Sequence, residues 1–164
     1  MSTLTRWLIF LGAAALVFYF YKYLFGPRNY GVKSLDGRSF YEASSVPGIL
    51  SQIDKAKKLA LYYETETTID LIFPLVYGTM FVTAILGLIP GARAPRCLVA
   101  LPVLGVLGDY CENATVIAML KRYPNSLGVL PNIASVASAT KGVFLLGSIV
   151  AVVGLAIVWL VKRF

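Results

Sequence analysis

Four stretches of the chain are apolar over lengths that suit a membrane-spanning helix, and polar residues gather between them. A helix needs about 20 predominantly apolar residues to cross the hydrocarbon core of a bilayer. The pattern predicts spans at about residues 7–25, 68–89, 97–120 and 142–161. The sequence therefore predicts a single all-α domain, residues 1–164, which is an integral membrane bundle of four transmembrane helices.

The polar stretch between the first two spans contains one amphipathic segment, at about residues 46–64. Ile49, Ile53, Ala56 and Ala60 recur at helical spacing, and three lysines lie in the same segment. This pattern is typical of a helix that lies on a membrane surface, although a solvated connector can have it too. We expect an interfacial amphipathic helix between the first two spans.

The composition supports the membrane assignment. Hydrophobic residues make up 58% of the chain and charged residues 14%, which excludes an ordinary soluble domain. The net charge of +7 could indicate nucleic-acid binding in a soluble protein, but here the basic residues flank apolar runs and no nucleic-acid motif is present. We therefore expect membrane lipids, and no nucleic acid, as partners.

The basic residues also predict the orientation of the chain. Four spans place both termini on one side, together with Arg6, Arg93, Arg96, Lys162 and Arg163. The other side carries Lys22, Arg28, Lys33, Arg38, Lys55, Lys57, Lys58, Lys121, Arg122 and Lys141. The positive-inside rule then places the two longer connections in the matrix or cytoplasm. We expect a multi-pass protein of an organelle inner membrane such as the mitochondrial one, or otherwise of a bacterial inner membrane.

Cysteine and histidine usage limits the possible chemistry. Cys97 and Cys111 lie in one predicted helix, so about 21 Å separates them and they cannot form a disulfide with each other. The chain has no histidine, the usual ligand for zinc and haem and the usual acid–base group. We expect no metal and no cofactor other than a bound phospholipid. Any metal would have to be a hard cation held by carboxylates.

Polar residues inside the predicted third span are the main functional signal. Asp109, Glu112 and Asn113 stand at i, i+3 and i+4, so they share one helical face. A carboxylate inside a bilayer is costly unless it is paired, neutralised or hydrated. Antiparallel packing brings Asp70 of the second span towards this face, and Lys141 enters the fourth span from the same side. These residues should face protein or a wet cavity.

The predicted polar cluster has three possible roles. Its members are Asp70, Tyr77, Asp109, Glu112, Asn113 and Lys141. The cluster can fasten helices together, bind a lipid headgroup or a partner subunit, or carry out catalysis. In the catalytic case Asp70 and Glu112 are the acid and base, and Asp109 and Asn113 orient them.

The leading functional hypothesis is a small accessory or structural subunit of a larger membrane complex, with other membrane subunits as partners. The alternative is an intramembrane enzyme that acts on a lipid or isoprenoid through paired carboxylates. A scaffold predicts covered surfaces without an open cavity. An enzyme requires a cavity that reaches Asp70 and Glu112.

Two short motifs carry a resemblance to known sequences. These are D-L-I-F-P-L-V-Y at 70–77 and D-Y-C-E-N at 109–113. The chain resembles small multi-span membrane proteins that occur in bacteria and some eukaryotes and have D-x-x-F-P-x-x-Y and D-x-x-E-N signatures. The resemblance covers roughly residues 35–145. It implies one shared site at these motifs without implying an activity.

Overall fold

The computed structural model describes residues 2–38 and 40–162, and this part of the chain is helical without a strand. The α-helices are α1 (Thr3–Tyr19), α2 (Val46–Lys55), α3 (Leu59–Ala92), α4 (Ala100–Arg122) and α5 (Leu130–Val161). A π-helical segment, Phe20–Phe25, extends α1, and short 3₁₀ turns precede α2 and α4. The all-α prediction is confirmed.

Four helical stretches of the described chain are long and apolar enough to cross a membrane. They are Thr3–Phe25, Leu59–Pro90, Arg96–Arg122 and Leu130–Val161. This is the architecture of an integral, multi-pass membrane protein, as the apolar runs of the sequence predict.

Two of these helices begin well before the predicted spans. α3 begins at Leu59 because the residues that precede its apolar run face protein: Tyr62 and Glu66 are fully buried. α5 begins at Leu130 for a similar reason, since Ala134 and Ser138 pack against the rest of the bundle. Polar or small residues at these positions interrupt the apolar pattern without interrupting the helix.

The segment that was expected to be one interfacial helix, residues 46–64, is divided between α2 and α3. The division falls at Lys57, which adopts a left-handed φ of 57°. Ile49 and Ile53 of α2 are buried in a core with Tyr62 and Met119, whereas the predicted apolar positions Ala56 and Ala60 are exposed. The apolar face of α2 therefore packs against the protein itself.

The four long helices alternate in direction. At one end, here called the loop end, Leu35 and Ile53 of the first connection pack with Met119 of α4 and Leu127. At the opposite end, Ile85, Leu88 and Leu155 form a second core beside Trp7, and Lys162 Nζ donates to the carbonyl of Ala92 at 3.1 Å. Both longer connections, residues 26–58 and 123–129, thus lie at the loop end. Arg163, counted in the charge pattern above, lies outside the described residues.

Candidate functional site

Lys141 joins two of the predicted acidic residues. Its Nζ lies 3.2 Å from Asp109 Oδ1 and 2.5 Å from Glu112 Oε2. The side chains are sequestered, with 11% of Lys141 and 0% of Glu112 exposed. The approach is possible because α4 carries Gly108 at the crossing, where an added Cβ would lie 3.0 Å from the backbone nitrogen of Lys141. The absence of a side chain at 108 lets α5 bring its lysine against α4.

Tyr77 fixes the remaining oxygen of Asp109. The Tyr77 hydroxyl donates to Asp109 Oδ2 at 2.7 Å, and the tyrosine is buried. Asp109 therefore receives one donor on each carboxylate oxygen, from α3 and from α5. This arrangement holds three helices together at one buried carboxylate.

Asn113 lies on the same face of α4 and contacts α3. Its Nδ2 donates to the backbone carbonyl of Asp70 at 2.8 Å, and Asn113 is only 1% exposed. The structure thus brings together all six members of the predicted polar cluster at the loop-end half of the bundle.

A cavity of about 750 Å³ opens beside the cluster at the loop end. This volume lies within the range of small-molecule sites in proteins. Its charged wall consists of Arg28, Lys33, Asp36, Asp70, Asp109 and Lys141. Its aromatic wall includes Tyr21, Phe25, Tyr30 and Phe73. A cluster that only fastened helices would not require this space.

The expectation that Asp70 and Glu112 face one cavity holds for Asp70 alone. Asp70 lines the cavity together with Asp109 and Lys141, whereas Glu112 does not reach it. Glu112 is fully buried, and the ammonium group of Lys141 lies directly on its carboxylate. The paired acid and base of the enzyme hypothesis are therefore not both accessible to a ligand in this cavity.

Two further carboxylates lie next to Asp70 and were not among the predicted site residues. Oxygens of Asp36, Glu66 and Asp70 all lie within 4.8 Å of one another. Glu66 is one helical turn before Asp70, and its position on the same face was readable from the sequence. Asp36 belongs to the non-helical connection after α1, where no periodicity indicates which way a side chain points. Its carboxylate accepts from the Tyr62 hydroxyl at 3.0 Å.

Two tyrosines of the connection lie beside the cluster, of which Tyr30 is buried and Tyr41 is half-buried. The Tyr30 hydroxyl donates to Thr65 Oγ1 at 2.9 Å. Burial raises the pKa of Tyr30 to about 12, although the bond to Thr65 opposes the rise. Burial, reinforced by the negative charge of Glu112, also raises the pKa of Tyr41. Both hydroxyls are therefore protonated at neutral pH and can act as donors.

The site can offer a ligand three kinds of interaction. Arg28 and Lys33 supply positive charge for an anionic group, whereas the ammonium group of Lys141 is paired with Asp109 and Glu112. Carboxylates supply oxygen ligands for a cation. Asp70 Oδ2 is buried and has no hydrogen-bond partner among the described residues, so it can accept a proton or a donor from a ligand.

Comparison of the chain with protein-family models, with curated proteins and with solved structures gave no match. The resemblance carried by the motifs at 70–77 and 109–113 therefore stays a prediction, and only the geometry of the cavity and its side chains bears on function.

Proposed function

We propose that the protein binds the phosphate-bearing headgroup of a membrane lipid in the loop-end cavity. The observation that carries this proposal is the composition of the cavity wall. Arg28 and Lys33 lie on a wall that continues into the aromatic side chains of Phe25 and Phe73. A charged pocket joined to an aromatic surface suits a ligand with a polar head and an apolar tail.

Arg28 is the best-placed group for a phosphate. Its Nη1 donates to the Leu24 carbonyl at 2.6 Å, which fixes the guanidinium group. Its Nε is buried and has no hydrogen-bond partner among the described residues. A guanidinium group binds phosphate through several N–H donors at once, so an unused buried donor at the cavity supports an anionic ligand.

The aromatic wall provides a path for the rest of the lipid. The Phe25 and Phe73 rings contact each other with centroids 5.1 Å apart. Tyr21, next to them on the extension of α1, is 74% exposed. Aromatic residues of this kind concentrate at the level of lipid headgroups. An acyl chain would leave the cavity along this surface towards the bilayer.

Retention of phospholipid after purification in mild detergent tests the proposal. We expect the wild-type protein to keep about one phospholipid per chain, measured as lipid phosphorus and by native mass spectrometry. Arg28→Gln and Lys33→Ala should lose it, because each removes positive charge from the cavity. Lys55→Ala is the matched control, since Lys55 is basic, exposed and at the same end but does not line the cavity. Absence of lipid from the wild type, or equal retention in all variants, would contradict the proposal.

An enzyme that acts on a lipid or isoprenoid is the second candidate. It is supported by Asp70, whose free Oδ2 belongs to a residue that lines the cavity. Proteoliposomes that contain a total lipid extract should then accumulate a new lipid species, detected by mass spectrometry. Asp70→Asn should slow its formation by about 10²–10⁴-fold, because an amide cannot exchange the proton. Identical lipid profiles with and without the protein would remove this candidate.

Membership of a larger membrane complex is a compatible proposal. Only 11% of the most apolar 18-residue stretch is buried in α1 with its extension, and the same holds for α5. Outward-facing residues of α5 such as Val143 and Val150 are exposed. Neighbouring helices or lipid can cover these faces. Native electrophoresis of the source membranes in mild detergent should show the protein in a stable assembly of defined composition. Migration as a monomer would exclude a stable complex.

We also propose that the protein resides in an organelle inner membrane such as the mitochondrial one, or otherwise in a bacterial inner membrane, with its longer connections in the matrix or cytoplasm. The excess of basic residues in those connections supports this orientation. Localisation of a fluorescent fusion in the native cell tests the compartment, and a signal in any other membrane would contradict it.

A further inference from the structure

Three carboxylates converge at the inner wall of the cavity. Asp36, Glu66 and Asp70 each place an oxygen within 4.8 Å of the other two. Asp36 comes from the connection after α1, and the other two come from successive turns of α3. Like charges at this separation repel one another, and the repulsion grows as water is removed from around them. The arrangement requires a counter-charge or a shared proton.

The strongest indication of a ligand is Glu66. It is fully buried, yet neither of its carboxylate oxygens has a hydrogen-bond partner among the described residues. Asp70 is 6% exposed, and its Oδ2 likewise has no hydrogen-bond partner among the described residues. Burial of a carboxylate without a partner is strongly unfavourable, so such groups are paired or coordinate a metal. Lys141 does not supply the counter-charge for Glu66 and Asp70, because its ion pairs are with Asp109 and Glu112.

We infer that Asp36, Glu66 and Asp70 form a binding site for a divalent cation of the hard, oxygen-preferring class, such as Mg²⁺, Mn²⁺ or Ca²⁺. This goes against the expectation, drawn from the lack of histidine, that the protein holds no metal. Oxygens on opposite sides of a cation are about 4.2 Å apart for Mg²⁺ and about 4.8 Å for Ca²⁺, so oxygens within 4.8 Å can share one coordination shell. Carboxylates are also the ligands that these ions prefer.

The position of the site suggests what the cation does. Asp36 and Asp70 line the cavity, whereas Glu66 lies behind them. A cation held here would present its remaining coordination positions to the cavity, which Arg28 and Lys33 also line. A phosphate could then bridge the cation and these basic side chains, as phosphates do at many Mg²⁺ sites. This role rests on the proposed headgroup binding, whereas the cation site itself does not.

Manganese binding to the purified protein tests the inference. After treatment with a chelator and its removal, Mn²⁺ is titrated into the detergent-solubilised protein, and free Mn²⁺ is followed by its electron paramagnetic resonance signal. We expect about one bound ion per chain at Mn²⁺ concentrations below about 1 mM, displaced by Mg²⁺ or Ca²⁺. Glu66→Gln and Asp36→Asn should each weaken binding by about tenfold or more. Glu42→Gln is the matched control, because Glu42 is exposed and does not line the cavity.

The two variants and the wild type together decide whether the cation site exists. Asp36→Asn changes a residue outside the helices, so it remains informative if Glu66→Gln does not fold. Absence of Mn²⁺ binding by the wild type, or unchanged binding in both variants, would overturn the cation site. If the carboxylates share a proton in place of a cation, the wild type does not bind Mn²⁺, and Glu66→Gln has a higher melting temperature than the wild type. If Mn²⁺ binds but phospholipid retention does not depend on it, the cation site stands and its link to the headgroup fails.

Discussion

The side-chain amide of Asn113 donates to the backbone carbonyl of Asp70, at 2.8 Å, in the turn of α3 that precedes Pro74. In a regular helix this carbonyl would accept from the N–H of residue 74, which proline lacks. The next carbonyl, that of Leu71, accepts from the Tyr110 hydroxyl at 2.8 Å. α4 therefore supplies donors where the proline disturbs α3, and this ties the two sequence motifs together in space.

Restoring the missing N–H should make the Asn113 amide less important. In the wild type, Asn113→Ala leaves a buried carbonyl unsatisfied and should lower the free energy of unfolding by about 1–3 kcal/mol. In a Pro74→Ala background the helix can satisfy this carbonyl itself, so the same substitution should cost clearly less. The measurement is a double-mutant cycle by unfolding in detergent micelles. An equal cost in both backgrounds would show that the bond to Asp70 is not the reason for Asn113.

The close contact of α4 and α5 gives a second prediction. A methyl group at position 108 would meet the backbone of Lys141 at 3.0–3.2 Å, so the helices must separate. Gly108→Ala should therefore destabilise the protein by about 1–3 kcal/mol. Gly154→Ala in α5 is the control, because an added Cβ there has no neighbour within 4 Å and alanine favours a helix. Equal melting temperatures for the two variants would contradict this account.

The positions of the helix ends predict how thiols react with a reagent that does not cross membranes. In a Cys111→Ser background, native Cys97 is the remaining thiol, and it is exposed in the short turn before α4. A thiol introduced at Ser44, in the first connection, should be labelled only from the opposite side. A thiol at Ser126 should behave like the one at Ser44. Labelling of positions 44 and 126 from different sides would exclude the four-span arrangement.

The sequence was informative where the pattern is periodic and local. The apolar runs predicted four helices, and the i, i+3, i+4 spacing of Asp109, Glu112 and Asn113 placed them on one face, as the structure has them. The first residues of α3 and α5 were not predictable in this way, because buried polar residues such as Glu66 and Ser138 interrupt the apolar pattern at the start of each helix. Burial depends on what packs against a helix, which its own sequence does not contain.

The cavity, and the inclusion of Asp36 in the carboxylate cluster with Glu66 and Asp70, depend on tertiary structure. Asp36 lies in a connection without periodicity, and it reaches Asp70 only because Tyr62 holds this connection against α3 through hydrogen bonds with Asp36 and with Leu35 N–H. The inaccessibility of Glu112 likewise follows from the side chain of Lys141, which a helical wheel cannot show. The site combines residues from the first connection, α3 and α4 with the lysine of α5.

The raised pKa of Tyr30 predicts a change in stability at alkaline pH. The pKa rises from 10.0 to about 12 on folding, so the unfolded chain loses this proton first. The stabilising contribution is complete below pH 10 and is lost as the pH rises towards 12. At about 1.4 kcal/mol per pKa unit, the loss is about 2–3 kcal/mol. Tyr30→Phe should reduce the fall in melting temperature over this interval, and an unchanged fall would contradict the prediction.

The last prediction concerns the ion pairs of Lys141. Lys141→Met leaves Asp109 and Glu112 buried without their cation, and removal of one partner of a buried pair costs about 3–5 kcal/mol in soluble proteins. Glu112→Gln in the Lys141→Met background removes one of the two stranded charges while keeping the shape of the side chain. The double variant should therefore be more stable than Lys141→Met alone. If it is less stable, by the sum of the two single effects, then Lys141 and Glu112 act independently and the 2.5 Å contact between them does not stabilise the fold.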